Sequence, residues 1–143
     1  MQRIKDLRTR GIGTYGIAHS ASVVDAVREF LDKNISALIV NDSDQMVGLF
    51  TKNDLVRACA EHPGGLATLT VGERMKTDIY TSTVDANLDD VVAVMIEKGF
   101  RHVPVLEGDQ VVGMVTSIDI LLYERDFLAK ENINLIRYIR GSY

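Results

Sequence analysis

The chain has 143 residues, 46% hydrophobic and 25% charged, which is enough apolar material for one domain or two tightly merged small units. A formal net charge of −4 argues against a nucleic-acid partner, which demands a basic footprint. The single cysteine, Cys59, excludes an internal disulfide and a cysteine-held metal, so a reducing cytoplasm is the expected compartment.

Met1 to Arg10 is polar and basic with no apolar run behind it, so no secretory leader is expected. No stretch approaches the roughly 18 apolar residues that a membrane span needs. Gly11 to Gly16 spells G-x-G-x-x-G, but a polar stretch precedes it and no helix opens on it, which sets aside a dinucleotide fingerprint. Ile12 to Ala18 reads as a short extended segment. Val23, Ala26, Val27, Phe30 and Leu31 then form one apolar helical stripe, with Ser22 at the N-cap and Asp25 three residues on. Ala37 to Val40 and Met46 to Phe50 are continuous apolar runs, as expected for strands buried on both faces, joined by a turn at Asn41 to Asp44. A second helix starts near Asn53, and on it Cys59, beside Ala58, is expected to be buried rather than reactive.

His62-Pro63-Gly64-Gly65 signals a linker. Beyond it the same elements return. Ile79 to Val84 is extended, and Leu88, Val91, Val92, Met95 and Ile96 form a helical stripe behind Asn87. His102 to Val105 and Val111 to Val115 are strands around a turn at Glu107 to Asp109. Pro104 cannot donate to a ladder, so its strand is expected to lie at a sheet edge there. A helix follows from near Ile118, and Leu121, Leu122, Phe127, Leu128, Ile133, Ile136 and Ile139 continue it as a packing face, with Gly141 as its stop.

Gly48-Leu49-Phe50-Thr51-Lys52-Asn53-Asp54 thus recurs as Gly113-Met114-Val115-Thr116-Ser117-Ile118-Asp119, 65 residues later, and the offset holds without a gap from Tyr15/Tyr80 onward. The expected fold is α+β: β-α-β-β-α twice, forming one pseudo-twofold module with a C-terminal helical tail. The expected division is residues 1–66, 67–124 and 125–143. Neither copy has enough helix to cover its sheet, so the copies are expected to pack sheet to sheet around a common core.

Each copy sets a threonine and an aspartate three residues apart at a strand-to-helix junction. Two readings of Thr51/Asp54 and Thr116/Asp119 stand: N-terminal helix caps, or ligand contacts in which a carboxylate takes both hydroxyls of a cis-diol. His19, His62 and His102 are too scattered for a zinc site, and no nucleophile–base pair can be assembled, so no enzyme activity is expected.

The two Gly-x-x-Thr-x-x-Asp motifs, the repeated element order and the segment Phe100-Arg101-His102-Val103-Pro104-Val105 resemble the cystathionine-beta-synthase (CBS) domain pair, from about Leu7 to Tyr123. The tail from Tyr138 to Tyr143 looks like that of stand-alone members. The resemblance implies a regulatory sensor that binds an adenosine ligand (AMP, ADP or ATP, alternatively S-adenosylmethionine) and alters how it meets a partner protein. It implies a homodimer, with a purely structural dimerisation module of empty clefts as the rival. It implies that Asp54 and Asp119 hold ribose and that Thr51 and Thr116 reach phosphate. Lys52, Ser117, Ile79, Tyr80, Thr81, Arg101, His102 and Val103 complete the implied contact set. Helix starts at the motifs are expected to aim free N–H groups at an anion. Arg101 and His102 stand where the first copy has Ser36 and Ala37, so the cleft around Asp119 is expected to bind more strongly.

Overall fold

The computed structural model describes residues 3–7 and 14–139; the glycine-rich residues 11–13 and the expected helix stop Gly141 lie outside them. The first repeat runs β1 (Gly16–Ala18), α1 (Val23–Lys33), β2 (Ala37–Asp42), β3 (Gln45–Thr51) and α2 (Lys52–Glu61). A short α3 (Val71–Arg74) leads to the second: β4 (Ser82–Thr83), α4 (Leu88–Lys98), β5 (His102–Glu107), β6 (Gln110–Thr116) and α5 (Ser117–Ile139). The order expected from the repeat is therefore the observed one.

The helices begin and end on matching chemistry. Ser22 Oγ accepts the Asp25 N–H at 3.1 Å to cap α1, and Asn87 Oδ1 accepts the Asp89 N–H at 2.9 Å to cap α4. Asn34 (φ 51°) and Gly99 (φ 74°), 65 residues apart, end the two helices in the left-handed region. The buried stripe is narrower than its sequence suggests. Val23, Ala26 and Phe30, and Leu88, Val91 and Met95, face inward, whereas Leu31 and Ile96 are 74% and 78% exposed. On α2, Ala58 is buried but Val56 and Cys59 are exposed, so Cys59 is not the core residue its neighbour suggests. The ten-residue helix buries Asp54 and Ala58, four apart, and Cys59 falls one step round from that line.

Each sheet has three strands, ordered β1-β2-β3 and β4-β5-β6; β1 and β4 run parallel to their central strand, and β3 and β6 run antiparallel to it. Both carry a register shift at the same place, Val40/Asn41 and Val105/Leu106. The expectation for Pro104 is corrected: β5 is the central strand. In the first sheet the Ile39 N–H donates to the Tyr15 carbonyl at 2.9 Å. Pro104 is the counterpart of Ile39 and has no N–H, so β4 shrinks to two residues and pairs only from Val105 onward.

The expected common core is also corrected. Two apolar clusters form, one per repeat. The first holds Val23, Phe30, Leu38, Val40 and Phe50, with the Phe30 and Phe50 rings stacked 5.9 Å apart. Such a pair contributes about 0.5–1.5 kcal/mol beyond its buried area. The second holds Leu88, Val91, Met95, Val103, Val105 and Val115. Each cluster is closed by a segment from outside its own β-α-β-β-α unit. Leu69 and Val71, from the stretch joining the repeats, finish the first cluster, where the Val71 N–H donates to Ala21 O at 2.8 Å. Ile4 and Leu7, from the start of the chain, finish the second, where the Ile4 N–H donates to Ala86 O at 3.0 Å. Along β2 the side chains alternate: Leu38 and Val40 belong to the first cluster, and Ile39 between them is buried outside it.

Met75 and Lys76 cross β3, and Leu49 and Lys76 exchange backbone hydrogen bonds of 2.9 and 2.8 Å. A Cβ on Gly48 would run into Met75 Sδ and meet the Lys76 carbonyl at 2.9 Å. Gly48→Ala is therefore expected to destabilise the chain by about 1–3 kcal/mol. An unchanged melting temperature in that variant would contradict this close approach.

Candidate functional site

A cavity of about 810 Å³ opens between the repeats, within the size range of small-ligand sites. Its walls come from three places: Ser36, Thr51 and Lys52 of the first repeat, Lys76 to Ile79 of the joining stretch, and Lys98 to His102 of the second repeat. The Leu49–Lys76 ladder brings the middle group in, and a contact of 3.3 Å between Ser36 Oγ and His102 Nε2 ties the outer two. Lys52, Lys76, Lys98 and Arg101 line the space against one carboxylate, Asp78. The balance favours an anion.

Beneath the wall lies Asp54, 3% exposed. Its Oδ2 accepts from the Thr51 N–H and the Thr51 hydroxyl, both at 2.9 Å, while Thr51 Oγ1 accepts the Asp54 N–H at 3.3 Å. Its Oδ1 faces Lys76 Nζ at 3.6 Å. Thr116 and Asp119 repeat the box at 2.9, 3.0 and 3.2 Å. The cap reading of both motifs is thus realised, with one oxygen of each carboxylate left outside the box. The N–H groups expected to meet an anion are mostly engaged: Lys52 N–H donates to Ser36 O at 3.0 Å and Ser117 N–H to Arg101 O at 3.1 Å. Charge at this site is therefore offered chiefly by side chains.

Of the residues singled out from the sequence, the cavity gathers Thr51, Lys52, Ile79, Arg101 and His102 directly and has Asp54 behind its wall. Arg101 and His102 were expected at the cleft around Asp119; both line the cavity beside the first motif, and Arg101 also borders the hollow that Ser117 lines. Pairing of β2 with β3 and of β5 with β6 puts Ala37 beside Thr51 and His102 beside Thr116, and the Ser36–His102 contact then carries the second repeat's basic pair across the seam. Tyr80 stacks on Phe100, with centroids 6.0 Å apart, and packs on the second core. Val103 is wholly buried in that core. Thr81 is half-buried outside the cavity wall. Ser117 lines a different, smaller hollow of about 400 Å³ between α4 and α5, bounded mainly by apolar groups such as Val92, Ile96 and Leu121. Sequence reasoning missed Lys76, Asp78 and Lys98: none lies in the repeated motif, and only the crossing over Gly48 brings the first two to it.

The CBS domain model matches residues 15–61 and 71–126. The chain is 31% identical over 73% of its length to "Uncharacterized protein MJ1225" of Methanocaldococcus jannaschii, and it spans 37% of that protein's length. It is 30% identical to "Hypoxic response protein 1" of Mycobacterium tuberculosis, covering 84% of this chain and 83% of that one. The solved CBS domain pair of protein MJ0100, in complex with 5′-methylthioadenosine and S-adenosyl-L-methionine, superposes with a TM-score of 0.74 at 29% identity, over 91% of this chain and 98% of that one. Among the described residues, no helix is long and apolar enough to cross a membrane, and no three His, Cys, Asp or Glu side chains are grouped to hold a metal.

Burial pushes the His102 imidazole below its ordinary value; Lys76 and Arg101 act in the same direction, and Asp54 and Asp119 oppose them. The folded protein therefore takes this proton less readily than the unfolded chain. The stability His102 contributes is full above about pH 6.5 and is lost as pH falls through the folded value. His102→Gln, which still offers Ser36 a partner, should flatten the loss of melting temperature on acidification from about pH 7 to 5. An unchanged slope in that variant would show that His102 does not titrate this way.

Proposed function

The chain belongs to the CBS domain family, and from that premise we propose that it is a regulatory module which binds an adenine nucleotide in the crevice between its repeats. The observation that carries the proposal is the convergence of four cationic side chains on a cavity backed by Asp54. In this reading the ribose hydroxyls take the Asp54 oxygen that Lys76 now faces, and Lys76, Lys52, Lys98 and Arg101 receive the phosphates. A hydrogen bond to a charged acceptor contributes about 1.5–3 kcal/mol, which fits the carboxylate as the anchoring group. The module acts without catalysis in the cytoplasm: nucleotide occupancy alters the surface it offers to a second copy of itself and to a regulated protein.

S-adenosylmethionine is the second reading, supported by the ligands in the MJ0100 structure. The cationic lining disfavours a ligand carrying a sulfonium, and so AMP, ADP or ATP is preferred. The empty structural module remains the contrasting case.

A melting screen tests the proposal. A nucleotide at 100 times its Kd adds about 2.7 kcal/mol, a shift on the order of 5–10 °C. Asp54→Asn, which keeps the cap's shape, should abolish most of that shift, and Asp119→Asn should leave most of it. No shift with AMP, ADP or ATP would leave the structural module; loss in Asp119→Asn alone would return the site to the other motif.

A further inference from the structure

We propose that Lys76 stands in for the ribose at Asp54 and yields its place only to a ligand that brings a phosphate, so the crevice selects a nucleotide over its nucleoside. This rests on the nucleotide reading above and adds the residue that sets its selectivity. Asp54 is 3% exposed and does not itself border the cavity. Its Oδ2 is committed to Thr51, which donates both its N–H and its hydroxyl. Oδ1 is left, and Lys76 Nζ lies 3.6 Å from it. The lysine does border the cavity, and its side chain is 43% exposed. A sugar hydroxyl arriving from the cavity therefore meets the ammonium before the carboxylate. The Lys76 main chain cannot make room. Its N–H and carbonyl bond to Leu49 at 2.8 and 2.9 Å, and its neighbour Met75 is packed on Gly48. The side chain can, on its flexible four-carbon stem. The other motif differs here. Asp119 has the same box but is half-buried, and among the described residues no cation pairs with it. The lysine goes with the carboxylate that burial penalises more.

The cost of moving the lysine depends on what displaces it. A nucleoside offers the Asp54 oxygen two neutral hydroxyls and takes its counter-charge away. The freed ammonium is pushed back among Lys52, Lys98 and Arg101, which line the same cavity. Asp78, the one lining carboxylate, is exposed and offsets only one of these cations. A nucleotide carries its own anion. Its phosphate gives Lys76 a new partner and relieves the repulsion from the other three, so one ion pair is exchanged for another. The phosphate thus acts at the ribose end of the site as well as at its own. Adenosine and phosphate, supplied as separate molecules, then bind with positive coupling, each making room for the other.

Calorimetry on the full chain tests this, with AMP, adenosine and inorganic phosphate as the probes. At matched ionic strength, adenosine should bind the wild type at least about fivefold more tightly in sodium phosphate than in sodium chloride. Lys76→Met, which keeps the length and drops the charge, should weaken AMP, tighten adenosine in chloride and abolish the gain from phosphate. Lys98→Met removes a lining cation that is not paired with Asp54, and should weaken AMP without tightening adenosine. A lysine that merely touched phosphate would give the Lys98→Met pattern at both positions, and that result would overturn the proposal. The salt comparison uses the wild type, so it decides the matter even where Lys76→Met fails to fold. An adenosine affinity that phosphate does not raise, no binding in either salt included, overturns the proposal while AMP binding keeps the nucleotide reading. A chain that does not bind AMP overturns both.

Discussion

The crevice depends on two backbone hydrogen bonds between Leu49 and Lys76. They dock the joining stretch on β3 at a place where only a glycine leaves room, and they hold a lysine against a carboxylate that is otherwise buried. An unpaired buried carboxylate carries a large desolvation cost, which at Asp54 is offset by Thr51 donating twice to one oxygen and by Lys76 standing near the other. Removing the strap would open the cavity wall and strip the charge partner in one step. The second motif has the same box, and the smaller hollow that Ser117 lines is bounded mainly by apolar groups.

The motif's two roles are compatible for a geometric reason. Capping a helix takes one carboxylate oxygen and leaves the other pointing away from the helix start. The cap also fixes that second oxygen in place, because the threonine hydroxyl and N–H hold the whole carboxylate. A ligand-binding group held in advance loses little freedom on binding. What the cap removes is the helix terminus as an anion site, and the cationic side chains around the cavity take over that part.

Much of the fold was legible because it is written twice. The residues repeated at the 65-residue offset predict the caps at Ser22 and Asn87 and the paired hairpins, all of which are local. What sequence did not reveal is tertiary. Leu31 and Ile96 belong to the periodic stripe, yet the sheet is too narrow to cover that edge of each helix. Pro104 signalled a broken ladder correctly but not which strand would yield, and the neighbour shortened rather than the strand moving to the edge. The contact of His102 with Ser36 across the two repeats was not legible, because spacing carries no information about which unit faces which. The site's remaining cations sit outside the motif, where residue type alone does not separate a lining lysine from a solvated one.

The exchange of covering segments also sets an order for assembly during synthesis. Everything the first core requires, from Ile17 to Met75, is synthesised before the second repeat. The second core needs Ile4 and Leu7, which are made first, and Val115, which comes late. Those two leading side chains must wait, uncovered, while more than a hundred residues emerge. The segment carrying Ile4 and Leu7 therefore docks only after β6 is made, and a bulky insertion beside it would burden the second repeat, far from it in sequence.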